Sequence, residues 1–341
     1  MQLDPVRVEN PTSFSPAFLA ERIDKFGRFT IQFSQSNAYH PGLLQQLNNV
    51  CRQLSDKLEV RFYGHYGEEF NGTILNNLPD VKKLSLDCLQ MIRNEEILLD
   101  LEYLTSLHFG VFEFDRPEFL AKLDLRRLKT LILSENRKRN LDLTSLSTCL
   151  ALENLNVHGH FKGLDAIVGL SNLRKITLGS LTKAKSIAFL RDVPKLEGLT
   201  LILGGRSGIA EFASDTLQTL QILRVRGLES LGDLSRFPSL RNLRIEDQIQ
   251  LKSLELTGVQ LERLSLYNCK ALARLTGLDH QARLCEFWSS KVDLNVDELR
   301  DFHWPATAKA VRIFSSSLKW NKLTERVMSV RGYSHSFQGW E

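Results

Sequence analysis

The sequence predicts an α/β solenoid, with a curved parallel sheet on its concave face and short helical, 3-10 or extended segments on its convex face. Two observations predict it. A Leu-x-x-Leu-x-Leu pattern returns nine times, from Val81-x-x-Leu84-x-Leu86 to Leu261-x-x-Leu264-x-Leu266, with starts 23, 24, 24, 21, 23, 24, 20 and 21 residues apart. A period of roughly 20–29 residues carrying such a pattern marks stacked repeats. Within each unit the last two apolar residues alternate with polar ones, so they share one face of a short strand.

The segments between strands agree. Leu164, Ile167 and Leu170 lead into Leu173, and Leu228, Leu231, Leu234 and Phe237 lead into Leu240, always three apart. That spacing suits tight turns or 3-10 stretches, where residues i and i+3 eclipse. On these residues the chain resembles the leucine-rich repeat family from about residue 58 to 317, in the short-repeat class of internalins and the phosphatase-1 regulatory subunit. The family places an Asn three residues after the last strand leucine. Here Asn136 fits and Cys269 is a familiar substitute, while His160 and Gln248 depart from the pattern.

Terminal repeats would expose their leucine faces, so caps are expected. Residues 1–57 form the expected N-terminal strand–helix cap, with a strand at Phe29–Phe33 and a helix opening at Pro41. Leu58–Tyr63 begins the repeats, which run to 317, and 318–341 form a C-terminal helical cap with a helix from about Asn321 to Val330. Asn295 and Glu298 read as a capping box flanked by Leu294 and Leu299. An out-of-period Leu251-x-x-Leu254-x-Leu256 is expected to put a strand on the convex side.

Composition narrows the function classes. At 43% hydrophobic and 25% charged the chain is ordinary for a globular protein, and a net charge of +4 is too small to argue for nucleic acid. No apolar run approaches the roughly 20 residues that cross a bilayer. Five scattered cysteines suggest neither a disulfide framework nor a zinc site, and residues 1–20 show no secretory pattern. A cytoplasmic location is expected.

Candidate chemistry is sparse. His158 and His160 are expected on one side of their strand, but a third ligand is lacking, so no metal and no cofactor is expected. Gly204–Gly208 lacks the Lys-Ser/Thr ending of a phosphate loop and reads as a lengthened turn. No nucleophile, base and acid fall together, so catalysis is not expected.

What remains is the face between the leucines. The row there reads Ser85, His108, Ile132, Asn156, Thr177, Thr200, Arg224, Arg244, Ser265 and Trp288. Its first six members are mostly small and neutral. Arg224, Arg226, Arg244, Arg263, Tyr267 and Trp288 gather in the later repeats and are the expected partner-binding residues, being of the types that dominate binding hot spots. The plainer alternative is that these arginines pair with Glu246 and Glu286. The function expected is a non-enzymatic module that binds a protein on its concave face, for example as an intracellular inhibitor or immunity-type protein. A bacterial effector delivered into host cells, and nucleic-acid binding through the arginine row, are the alternatives.

Overall fold

A computed structural model describes residues 4–334, 336 and 339. The outermost parts of both expected caps, 1–3 together with 335, 337–338 and 340–341, lie outside the described residues. The chain forms two compact units, Met1–Leu173 and Arg174–Glu341.

The first unit contains strands β1 (Arg7–Glu9), β2 (Phe29–Phe33), β3 (Leu58–Tyr63), β4 (Glu69–Asn71), β5 (Lys83–Leu89), β6 (Met91–Arg93), β7 (Ser106–Val111), β8 (Thr130–Leu133) and β9 (Asn154–His158). Its helices are α1 (Pro16–Phe26), α2 (Pro41–Leu54) and the single turn α3 (Phe119–Lys122). The main ladder runs β1-β2-β3-β5-β7-β8-β9, parallel throughout, and β4 pairs with β6 apart from it. Alternation drives the ladder. In β3, Leu58, Val60 and Phe62 are buried while Glu59, Arg61 and Tyr63 keep one side exposed. Helix α2 buries Leu43, Leu44, Leu47, Val50 and Cys51 along one side, as its spacing predicts. Helix α1 is an addition to the expected cap. Ser15 caps it, Leu19 and Ile23 are its buried residues, and it ends at Gly27 with φ +77°.

The second unit contains β10 (Lys175–Gly179), β11 (Gly198–Ile202), β12 (Thr219–Leu223), β13 (Asn242–Glu246), β14 (Ser253–Glu255), β15 (Arg263–Tyr267), β16 (Arg274–Thr276), β17 (Glu286–Ser290) and β18 (Ala310–Phe314). Its helices are α4 (Val296–Asp301) and α5 (Leu318–Val330). The main ladder runs β10-β11-β12-β13-β15-β17-β18, again parallel. The out-of-period leucines are indeed a strand: Leu254 of β14 lies opposite Leu275 of β16 in a separate two-stranded ladder. The Asn295 side chain accepts from the N–H groups of Asp297 and Glu298 and donates to Glu298, forming the expected cap of α4. Helix α5 starts three residues before its expected origin, at a Ser317 cap, and buries Thr324 and Met328, while Leu323 faces solvent.

One backbone feature fixes the repeat frame of this unit. Ser180, Leu203, Arg224, Asp247, Asn268 and Lys291 all have φ between +51° and +62°. Each sits four residues after the first buried residue of its strand: Ile176, Leu199, Leu220, Leu243, Leu264 and Phe287. The frame around β12 is therefore Leu217-x-x-Leu220-x-Ile222, three residues earlier than the sequence pattern suggests. The leucine at 223 matched the pattern equally well, and only the strand pairing separates the two choices.

Residues after the strands satisfy buried backbone with whatever polar group is present. The Asn136 amide donates to the Phe114 carbonyl at 2.8 Å and accepts from the Arg139 N–H at 2.5 Å. One repeat later His160 does the same work: its Nδ1 accepts from the Leu141 N–H at 3.3 Å and its Nε2 donates to the Ser134 carbonyl at 3.1 Å. Those partners assign the tautomer. Gln248 donates to the Glu246 carbonyl and the Cys269 thiol to the Tyr267 and Ile245 carbonyls. Departure from Asn thus leaves the ladder's backbone partnered at these positions.

Candidate functional site

In the second unit, the strand positions that alternate with the buried apolar pair form three rows, half-exposed for the most part although Ser265 is buried. The row between the buried pair reads Thr177, Thr200, Gln221, Arg244, Ser265, Trp288 and Arg312. Arg244, Arg263, Tyr267 and Trp288 come together on the consecutive strands β13, β15 and β17. Arg224 and Arg226 do not join them. Arg224 occupies the left-handed turn after β12, where its Nε donates to Asp247 Oδ2 at 3.1 Å with 63% of its side chain exposed. Arg226 lies beyond that turn, with its backbone paired to Gly204 and Arg206. The three-residue frame shift explains both corrections. Gln221 takes the place assigned to Arg224.

The remaining charges are held tightly. Arg244 Nη2 donates to Glu246 Oε2 at 2.7 Å, and Arg263 Nε donates to Glu286 Oε2 at 2.7 Å with both side chains about 85% buried. The Tyr267 and Trp288 rings lie 5.8 Å apart, and Lys291 Nζ sits 5.3 Å above the Tyr267 ring. Two immobilised, partly covered ion pairs beside a packed aromatic pair make a rigid surface with large side chains and directed hydrogen bonds, which loses little entropy on binding. Arg312 belongs to the same row and was legible in sequence as the residue between Val311 and Ile313.

The face of the first unit is more polar than its later repeats suggest, because β1 to β3 contribute to it. Arg61 grips Asp87 with two bonds of 2.7 and 2.6 Å and donates to Gln32 at 3.2 Å. Tyr63 OH donates to Glu9 Oε1 at 2.5 Å, and Glu59 accepts from Thr30 and Ser85. The hydrogen bond from Tyr63 holds the Glu9 carboxyl below its ordinary range, and the bonds to Asp87 raise Arg61 further. Sequence reasoning identified the Val60-x-Phe62 strand but left its exposed residues out of the rows.

The described histidines and cysteines in the strands and turns are mostly buried structural groups. The expected pairing of His158 with His160 fails: left-handed Gly159, at φ +77°, breaks the strand alternation, leaving His158 half-buried on the exposed row while His160 is fully buried. Burial lowers both imidazoles, and lowers His108, whose Nε2 lies 2.9 Å from Ser134 Oγ. Burial pushes the Cys51 and Cys149 thiols up to about 12 and Cys269 to about 11, so none is a ready thiolate. Among the described residues no cluster of three or more His, Cys, Asp or Glu is placed to hold a metal ion, and no helix is long and apolar enough to cross a membrane. Gly204–Gly208 is a bent segment in which Gly205 makes a parallel bridge to Arg226. A Cβ on Gly204 would lie 2.2 Å from the Leu181 carbonyl oxygen, and Arg206 folds inward to Glu211 at 2.6 Å.

No curated protein sequence matches the chain. Solved structures similar to it include an internalin (inlF) from Listeria monocytogenes, 16% identical, covering 84% of this chain and 79% of that one with a TM-score of 0.48. An internalin C2 from the same species is also 16% identical, covering 65% and 83% with a TM-score of 0.39. A chain of the Drosophila Toll–Spatzle complex is 17% identical with a TM-score of 0.46; the match covers 94% of this chain but 47% of that one. The family model described as FBD-associated F-box protein At5g56370, LRR repeats, matches residues 77–254, more than half of the 341. On that match the chain belongs to the leucine-rich repeat family of those F-box-associated repeats.

Proposed function

We propose that this chain is a non-enzymatic protein-binding module whose partner sits on the exposed face of β13, β15 and β17, anchored by Arg244, Arg263, Tyr267 and Trp288. An intracellular inhibitor that covers part of its target is the concrete form of that reading. The reading includes the proposed division of the chain into repeats at 58–317 and caps at 1–57 and 318–341. The observation that carries it is the convergence of two arginines and a Tyr–Trp pair on three adjacent strands, each arginine fixed by a glutamate. Such residues are the ones that dominate interface energies, and repeat proteins use extended sheet faces for recognition. The same pairing weakens the nucleic-acid reading, since guanidinium groups already bound to glutamates are poor phosphate neutralisers.

Affinity capture from the native cell tests it. Immobilised wild-type chain and a Thr177→Lys/Thr200→Lys variant are expected to retain the same protein. An Arg244→Glu/Tyr267→Ala/Trp288→Ala variant that melts like wild type is expected to lose it. Retention by all three would refute the assignment.

A further inference from the structure

The small ladder of β14 and β16 has an open edge beside a groove. Ser253, Leu254 and Glu255 stand opposite Arg274, Leu275 and Thr276, a step of 21 residues along the chain. The same step from β16 falls on 295–297, where a third strand would continue the ladder and the cap and first turn of α4 stand instead. The chain makes one bond to the end of β16, from the Asp293 N–H to the Leu272 carbonyl at 3.1 Å, and then leaves it at the Asn295 cap. A helix bonds its backbone within itself, so α4 does not pair with the edge. Ladder geometry identifies the groups left over. The Arg274 N–H donates to the Lys252 carbonyl at 3.3 Å, and the Thr276 carbonyl accepts from the Leu256 N–H at 3.0 Å, so both residues turn their backbone groups to β14. In a parallel ladder the residue between them turns its own away. The Leu275 N–H and carbonyl therefore face the other side, where among the described residues no strand pairs with β16. A cavity of about 530 Å³ lies there, walled by β16 on one side and by Leu294, Leu299 and Phe302 on the other.

We propose that this edge takes an extended segment of a partner protein as a third strand, with an apolar side chain of that segment in the groove beside Leu275, Leu294 and Leu299. Extended backbone is the group that supplies both a carbonyl for the Leu275 N–H and an N–H for its carbonyl, one strand spacing of ~4.8 Å away. The side chain follows from the register. β14 and β16 each carry a leucine at their middle position, and an added strand repeats that place. The groove's apolar wall is suited to it, since Leu294 and Leu299 are each 8% exposed and Leu275 is half-buried. A bare strand edge is a template for pairing with another chain, and here a shaped cavity adjoins it. The edge belongs to a ladder separate from β13, β15 and β17, so the site is independent of the partner proposed for that face.

Amide hydrogen exchange of the full chain, read residue by residue by NMR, tests it with a synthetic probe. The probe is a capped peptide with the sequence of residues 251–256, Leu-Lys-Ser-Leu-Glu-Leu, which copies the strand that β16 already accepts on its other edge. Without probe, the Leu275 amide is expected to exchange freely while that of Thr276 is slow. Probe at about 1 mM is expected to slow Leu275 roughly fivefold, the free fraction left by a Kd of about 0.25 mM. The same peptide N-methylated at its glutamate, the residue whose N–H would donate to the Leu275 carbonyl, is expected to leave the rate unchanged. Leu275→Pro removes only an N–H that points away from β14, so the Thr276 amide is expected to stay slow while the probe's shifts at the Leu299 methyls disappear. No slowing by the probe, equal slowing by the N-methylated peptide, or persistence of those shifts in Leu275→Pro would overturn the proposal. If Leu275→Pro does not fold, the two peptides on wild type decide. Protection of Leu275 without probe would mean that the edge is already covered, and protection rising with protein concentration would place a second copy there; either overturns a site open to a partner.

Discussion

Gln221 stands opposite Arg244 in the pairing of β12 with β13, while Arg224 stands beyond the strand end beside Asp247. The two arginines therefore differ in what they hold. Arg224→Ala is expected to change stability by less than about 0.5 kcal/mol, as for other exposed pairs. Arg244→Ala strands Glu246, whose side chain is 16% exposed, and is expected to cost about 1 kcal/mol. Urea melts of the two variants give the comparison, and equal losses would show that the frame drawn around β12 is wrong.

The row of left-handed turns makes a second expectation. Leu203 has φ +62° and is 42% exposed, a conformation that a branched apolar side chain tolerates poorly and Asn tolerates well. Leu203→Asn is expected to stabilise the chain by about 0.5–1 kcal/mol. A lower melting temperature in that variant would mean Leu203 makes packing contacts that outweigh the backbone strain.

Gln281 carries more of the fold than its polarity suggests. It is 1% exposed, accepts from the Leu261 N–H at 2.8 Å, and donates to the carbonyls of Leu256, Val259 and Gly277 at 3.1–3.2 Å. Gln281→Leu takes the side-chain partner from the buried Leu261 N–H and Val259 carbonyl, whereas the Leu256 and Gly277 carbonyls keep the N–H groups of Val259 and His280, and is expected to cost about 2 kcal/mol or more. A loss under 1 kcal/mol, read from chemical denaturation, would show that the backbone groups find other partners.

Acid should destabilise the first unit in the imidazole range. Burial holds His108, His158 and His160 below their ordinary value, so the unfolded chain takes up protons before the folded one does. Their full contribution is present above about pH 6.5 and is lost as pH falls from there towards the folded values. At His160 the reason is geometric: Nδ1 must accept from the Leu141 N–H, and a proton there ends that bond. His160→Asn, which copies Asn136 one repeat earlier, is expected to melt near wild type at pH 7.5 and to lose less between pH 7.5 and 5.5. Identical pH slopes for the two proteins would remove His160 from the explanation.

The leucine ladder was legible because each of its strands hides two apolar residues at a fixed spacing, and that spacing locates the main-ladder strands of the repeats apart from β12, but not the short strands β4, β6 and β16. At β12, Leu220 and Leu223 both fit the pattern, and the backbone turn at Arg224 leaves no mark in composition. Strand β1 escaped notice because Val8 is its lone apolar residue, and α1 because it buries only Leu19 and Ile23. Of the candidate site, Arg244, Arg263, Tyr267 and Trp288 were legible as exposed neighbours of strand leucines. Their pairing with Glu246 and Glu286 stood as one of two alternatives, and Arg61 with Asp87 was not visible at all. Side-chain partners across strands depend on the register, and a one-step error in register changes every one of them.

The affinity of the captured partner for single-site variants tests the central claim most directly. Titrated against the purified partner, Trp288→Ala and Arg244→Glu are each expected to raise Kd by at least about thirtyfold, the effect of losing a hot-spot residue worth roughly 2 kcal/mol. Thr200→Lys, on β11, is expected to stay within about twofold of wild type. Equal weakening by all three, or none from Trp288→Ala and Arg244→Glu, would contradict a partner seated on β13, β15 and β17.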